Sequence, residues 1–180
     1  MTTPTTLQQT LQYQYAIACQ LCDYHLTDLT EDEYHWRPAP PGLHIAEHSG
    51  VWQPDWPTSE GYDIGPPSSA WLMWHMTYWW SMVLDHTFGQ ASLQREDIPA
   101  SGSFAEAKSR LLDLRNQWEG AVHKLSPEAW LDTARTRWPF ADRSFADLAA
   151  WLNVELMKNA SELGYSRFLY GSQANYKSHN

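Results

Sequence analysis

Apolar positions recur at steps of three and four along several separate stretches of the chain, which is the period of one helical face. In the first stretch Leu7, Leu11, Tyr15, Ala18, Cys22, Leu26 and Leu29 form one stripe, and this predicts a helix over about residues 5–29. Residues 30–34 could add a short turn. Pro38, Pro40 and Pro41 then end regular structure, because proline lacks the amide that continues a helix. A second helix is predicted after Pro66 and Pro67, with Ser68 or Ser69 as its N-cap, running to about Phe88 and stopping at Gly89. It is apolar nearly all round, so it is expected to be mostly buried. The third helix opens on Ser103-Phe104-Ala105-Glu106, a capping box. Its stripe is Phe104, Ala107, Leu111, Leu114, Trp118, Ala121 and Leu125. Ser126-Pro127-Glu128 starts a short helix that places Trp130, and Ser144-Phe145-Ala146-Asp147 caps a last helix expected to end at Tyr170 before Gly171. Residues 172–180 read as a polar, poorly ordered tail.

Between the first two long helices, residues 40–67 hold six prolines and four glycines in 28 positions. Connections of this length in a compact domain are unusual and often functional, for example as lids. Trp52, Trp56, Tyr62 and Ile64 give this one apolar groups to pack on the body, and residues 43–48 could form a helical turn. Four long helices, no convincing strands and no internal repeat predict an all-α fold: a four-helix bundle in one domain over residues 1–171, followed by the tail. The long connection leaves room for an order other than up-down-up-down.

With 43% hydrophobic and 14% aromatic residues, the 180-residue chain is globular and large enough for a sizeable core. A net charge of −9 without a basic run argues against nucleic acid and anionic membrane as partners. No secretory leader and no bilayer-length apolar run are evident, so a cytoplasmic location is expected. Cys19 and Cys22 form the only C-x-x-C pair; they lie within a helical pattern with no second pair to complete a zinc site, and ordinary reduced core thiols are expected.

Candidate chemistry centres on His75, the one ionisable group in the aromatic run Ala70–Trp80, where Trp71, His75, Tyr78, Trp79 and Met82 share a side. A buried imidazole needs a hydrogen-bond partner, a metal or a proton-transfer role. On the last helix Glu155, Asn159 and Glu162 stand at i, i+4 and i+7, within about 40° of one another, and interrupt an apolar face. Residues at i and i+4 can both reach one ion, and a third group from a facing helix would complete a three-ligand site. The same residues also suit a hydrogen-bonded core pair beside a solvated flank.

At these residues the chain resembles the DinB/YfiT-like superfamily of metal-dependent enzymes. Leu29 to Pro40 resembles that family's link after its first helix, Ala70-Trp71-Leu72-Met73-Trp74-His75-Met76 the helix supplying its first metal histidine, and Asn153 to Leu163 its last-helix metal motif. The resemblance implies a four-helix bundle, commonly a homodimer, with a divalent metal such as zinc or nickel held by three histidines at one end. It also implies thiol-dependent transferase or isomerase chemistry with a low-molecular-weight thiol in some members. His75 matches the first ligand, but Glu155 and Asn159 stand where the other two histidines are usual, and Glu162 matches an acidic or amide position that often follows. Such a His/Glu/Asn site would be harder and shift preference towards manganese, iron or magnesium.

Two functions are therefore carried forward. One is a metal-dependent transferase or hydrolase acting on a small molecule, with His75, Glu155 and Asn159 as ligands, Glu155 and Glu162 as bases, and Trp71, Tyr78 and Trp79 lining the pocket. The other is a metal-free relative that binds a small ligand or a partner. His44 and His48, four apart on the long connection, are an alternative source of imidazole ligands. An anionic thiol would need cations, and Arg37, Lys158 and Arg167 are scattered along the chain.

Overall fold

A computed structural model describes residues 6–59 and 61–178, with side chains to residue 173. Its helices are α1 (Leu7–Leu26), α2 (Glu31–His35), α3 (Ser69–Phe88), α4 (Phe104–His123) and α5 (Phe145–Ser178), and a two-stranded hairpin, β1 (Ile45–His48) and β2 (Val51–Pro54), interrupts the long connection. Each long helix starts where a hydroxyl can serve an orphan amide. The hydroxyls of Thr6, Ser68 and Ser103 accept from the amides of Gln9, Trp71 and Glu106, and Ser144 and Asp147 exchange bonds at the start of α5. Ser68, rather than Ser69, is thus the cap of α3.

Contacts between helices fix their directions. Cys22 meets Met76 and Tyr15 meets Trp80, so α3 runs against α1. Tyr15 reaches Glu119 while Lys108 reaches the carbonyl of Leu26, so α4 also runs against α1. Asn153 donates to the carbonyl of Leu11 and Arg167 to that of His25, so α5 lies parallel to α1. The order is up, down, down, up. The segment 89–103 carries the chain back along α3: His86 Nε2 meets the carbonyl of Leu93, Trp74 donates to that of Ile98, and the amide of Ala100 donates to Trp52 of the hairpin. Consequently the hairpin and the rest of the long connection sit at the end of the bundle where α3 begins.

As its composition predicts, α3 is buried on nearly all sides, and its neighbours contribute Leu11, Ala18, Leu26, Leu111, Trp118, Phe145, Leu148 and Leu163 to the same core. Cys19 and Cys22 are free, buried thiols; burial raises the Cys19 pKa and pushes that of Cys22 to about 12. No helix among the described residues is long and apolar enough to cross a membrane.

Three expectations change. Residues 43–48 are not helical: Ile45, Val51 and Trp52 suit strands, and Ser49 and Gly50, both at positive φ (53° and 83°), make the tight turn that matches strand twist. The first helix stops at Leu26 because Asp28 turns left-handed (φ 55°), although Leu29 still packs in the core. The last helix does not stop at Gly171 but runs to Ser178; Gly171 keeps a negative φ, so the left-handed turn that ends a helix at glycine never forms. The expected tail is thus helical over 172–178, and residues 179–180, like residues 1–5, lie outside the described residues.

Candidate functional site

His75 projects from α3 into a ring of aromatic side chains. Trp71 stacks on it at 4.5 Å between centroids, Tyr78 and Trp74 lie nearly parallel to it at 6.3 Å, and Trp79 meets it edge-on at 5.3 Å. Trp71, Tyr78 and Trp79 follow from the run's composition: in a helix, residues three and four before and after His75 share its side. The imidazole is 7% exposed. Burial lowers its pKa to about 4, with Lys158 acting the same way and the Asn159 hydrogen bond partly opposing them. At neutral pH it is uncharged.

Its partner is Asn159 of α5, which is fully buried. His75 Nδ1 and Asn159 Oδ1 are 2.9 Å apart, and Asn159 Nδ2 donates to the carbonyl of Glu155 at 2.7 Å. Because Nδ2 is committed as a donor, Oδ1 is the acceptor, and His75 carries its proton on Nδ1. The Nε2 lone pair is then the group the ring offers to a ligand.

Glu155 and Glu162 flank this pair on different sides. Glu155, half-buried, borders a gap of about 10 Å³ with Trp79, Trp80 and Asn159, at the lower limit for a single water. Glu162 lines a cleft of about 290 Å³ together with His75, Trp71, Lys158 and the loop residues Leu43, Trp56 and Ile64. Lys158 Nζ and Glu162 Oε2 pair at 3.3 Å across one helical turn. Of the residues expected to line a pocket, Trp71 borders the cleft, Trp79 borders the small gap, and Tyr78 stacks on Trp74 while touching Trp56. Leu43, Trp56 and Ile64 are walls of the cleft that their separation in sequence conceals; the only signal for them is apolar residues placed in a proline-rich loop.

The alternative pair separates. His44 is buried just before β1, where its amide donates to Asp55 at 2.8 Å and burial, with Arg37 nearby, lowers its pKa. His48 is exposed at the hairpin turn. Four residues of extended chain span about 13 Å, too far for one ion.

The three-imidazole centre that the resemblance implies does not fit the donors present. There is one imidazole, its Nδ1 already faces an amide oxygen, and that amide is itself tied to the backbone. Among the described residues no three His, Cys, Asp or Glu side chains come together as metal ligands. Two of the three cations noted for an anionic thiol are engaged elsewhere: Lys158 with Glu162, and Arg167 with Glu33 at 2.7 Å and the carbonyls of His25 and Thr27.

Comparison with curated proteins and with solved structures finds no match. The family model of the DinB superfamily matches residues 14–163, a span from α1 through the His75–Asn159 pair into the second half of α5. The helical bundle and this match agree, and the chain belongs to the DinB superfamily.

Proposed function

We propose that this chain is a metal-independent DinB protein that binds a small, flat and largely apolar molecule in the cleft beside His75. The carrying observation is the bond between His75 Nδ1 and Asn159 Oδ1, with the amide locked by the Glu155 carbonyl. It supports a neutral imidazole held in one tautomer, whose Nε2 accepts a hydrogen bond from the ligand. Trp71 and Trp56 supply apolar and aromatic walls, and the cleft volume of about 290 Å³ suits a bicyclic ring system better than a peptide. Lys158 and Glu162, as a half-exposed pair, stand at its polar edge.

Two measurements test this reading. After exposure to zinc, nickel and manganese salts and desalting, the purified protein should retain less than about a tenth of an equivalent of metal. One equivalent that disappears in His75→Ala would overturn the proposal in favour of the metal-dependent enzyme. Naphthol and naphthalene then probe the acceptor. Naphthol should bind more tightly to the native chain, and His75→Phe, which keeps a stacking ring, should erase the difference; equal binding of both probes to the native chain removes the role given to Nε2.

A further inference from the structure

A second cavity, of about 200 Å³, opens between α1, α4 and α5 in the half of the bundle away from the hairpin. Tyr15, Trp118, Glu119, Trp130 and Asn153 are among its walls. It has room for several waters, and so for a small amine with its substituents. Its polar groups are specific. Tyr15 Oη donates to Glu119 Oε1 at 3.0 Å, fixing a carboxylate at the rim. Burial, with Cys19 and Glu119 nearby, raises the pKa of the Tyr15 phenol, so it stays a donor. Asn153 is already bonded to the carbonyl of Leu11 and to Gln14, so it is spent on structure. Trp130 is 3% exposed, and its Nε1 is buried without a hydrogen-bond partner, closed off from the cavity, so this residue contributes only an apolar wall.

The charge balance selects the ligand. No lysine or arginine lines the cavity, His123 being its one other ionisable wall beside Tyr15 and Glu119. The nearest guanidinium along α4, Arg115, lies one turn before Glu119 and is paired with Asp23. The chain as a whole carries −9. Glu119 therefore presents an unneutralised carboxylate beside aromatic walls, an arrangement that favours an organic cation through both charge and ring faces. Trp118 and Trp130 are held by packing on the buried Phe145, at 5.6 Å and 5.2 Å between centroids, so those walls are preformed.

We propose that this cavity binds a small organic ammonium ion, with the Glu119 carboxylate, held by Tyr15, facing the cation. The site is independent of the cleft at His75.

Choline, titrated into the nitrogen-labelled full chain, is the direct probe, with its uncharged isosteric alcohol as control. Choline should shift the indole signals of Trp118 and Trp130 saturably. Glu119→Gln, which keeps an acceptor for Tyr15 and lies at the surface, should weaken binding roughly tenfold or more. His75→Phe should leave choline binding unchanged. The proposal is overturned if no saturable shift occurs, if the alcohol binds as well as choline, if Glu119→Gln binds as the native chain does, or if the shifted indoles are those of Trp56 and Trp71.

Discussion

Burial of His75 has a consequence for stability that can be signed. In the unfolded chain its imidazole takes a proton near pH 6.5, and in the folded chain near pH 4. Between those values the unfolded state holds more protons, so stability is complete above about 6.5, falls as the pH drops, and levels off below about 4. The full effect is on the order of 3 kcal/mol. His44 and His25, whose pKa values are also lowered, act in the same direction, so the useful quantity is the difference between native protein and His75→Gln. Urea unfolding followed across this range should show a shallower pH slope in the variant, and identical slopes would mean that His75 is protonated in the fold. Asn159 is the second residue of the pair. Asn159→Leu removes the acceptor and leaves Nδ1–H buried without one, which should cost about 1–3 kcal/mol in the same unfolding assay near neutral pH. Less than half a kilocalorie would indicate that the ring finds another partner and that the pairing is incidental. That His75 would be buried was legible in the sequence, because its neighbours three and four residues away are Trp71, Leu72, Tyr78 and Trp79. Its choice of Asn159 over Glu155 was not. The two acceptors are one helical turn apart on α5, and only the packing of α3 against α5 decides which one meets Nδ1.

At the scale of elements, helix positions were readable because caps and apolar stripes are local signals. Thr6, Ser68, Ser103 and Ser144 all begin helices, and the stripes of α1 and α4 face the core as their spacing requires, except for Leu7 in the first turn of α1, which is exposed. The hairpin and the extension of α5 escaped for a different reason: Ser49-Gly50 and Gly171 are ambiguous alone, since each can turn the chain or continue it. Tertiary contacts decided the hairpin. Trp52 lies against His35 at 5.4 Å between centroids, and its carbonyl accepts from Ala100 at 2.9 Å. Gly102 makes this docking possible, because a Cβ there would fall within 3 Å of three atoms of the Trp52 ring. Gly102→Ala should therefore push Trp52 outward and cost about 1–3 kcal/mol by overpacking. Hydrogen exchange gives the sharper test. The amide of Ala100 should exchange faster in the variant while the amides in the middle of α5 keep their protection. Unchanged exchange at Ala100 would show that the hairpin is held without the close approach.

At the scale of the whole molecule, the parallel pairing of α1 with α5 leaves a long face uncovered. Tyr13 and Tyr24 are eleven residues apart on α1, about three turns, and so point the same way; Val154 and Tyr165 repeat that spacing on α5. The offset of Leu11 to Asn153 and His25 to Arg167 places Tyr13 level with Val154 and Tyr24 level with Tyr165. The four are 70%, 73%, 56% and 64% exposed, and Phe168 beside them is 75% exposed, together an apolar strip along two adjacent helices. Singly exposed apolar residues are ordinary, but five on one side of two neighbouring helices suit an association surface, and we propose that role for them. The homodimer expected from the resemblance would pack this strip against its own copy about a two-fold axis, because one self-complementary patch then covers both chains. Sedimentation equilibrium should accordingly give about twice the 20.8 kDa chain mass, and Tyr24→Glu with Phe168→Glu should return the single-chain mass without loss of helix signal, since neither side chain is in the core. A native chain that sediments at the single-chain mass throughout would leave the strip for a different partner, and a dimer unaffected by the two charges would place the two-fold contact on another face.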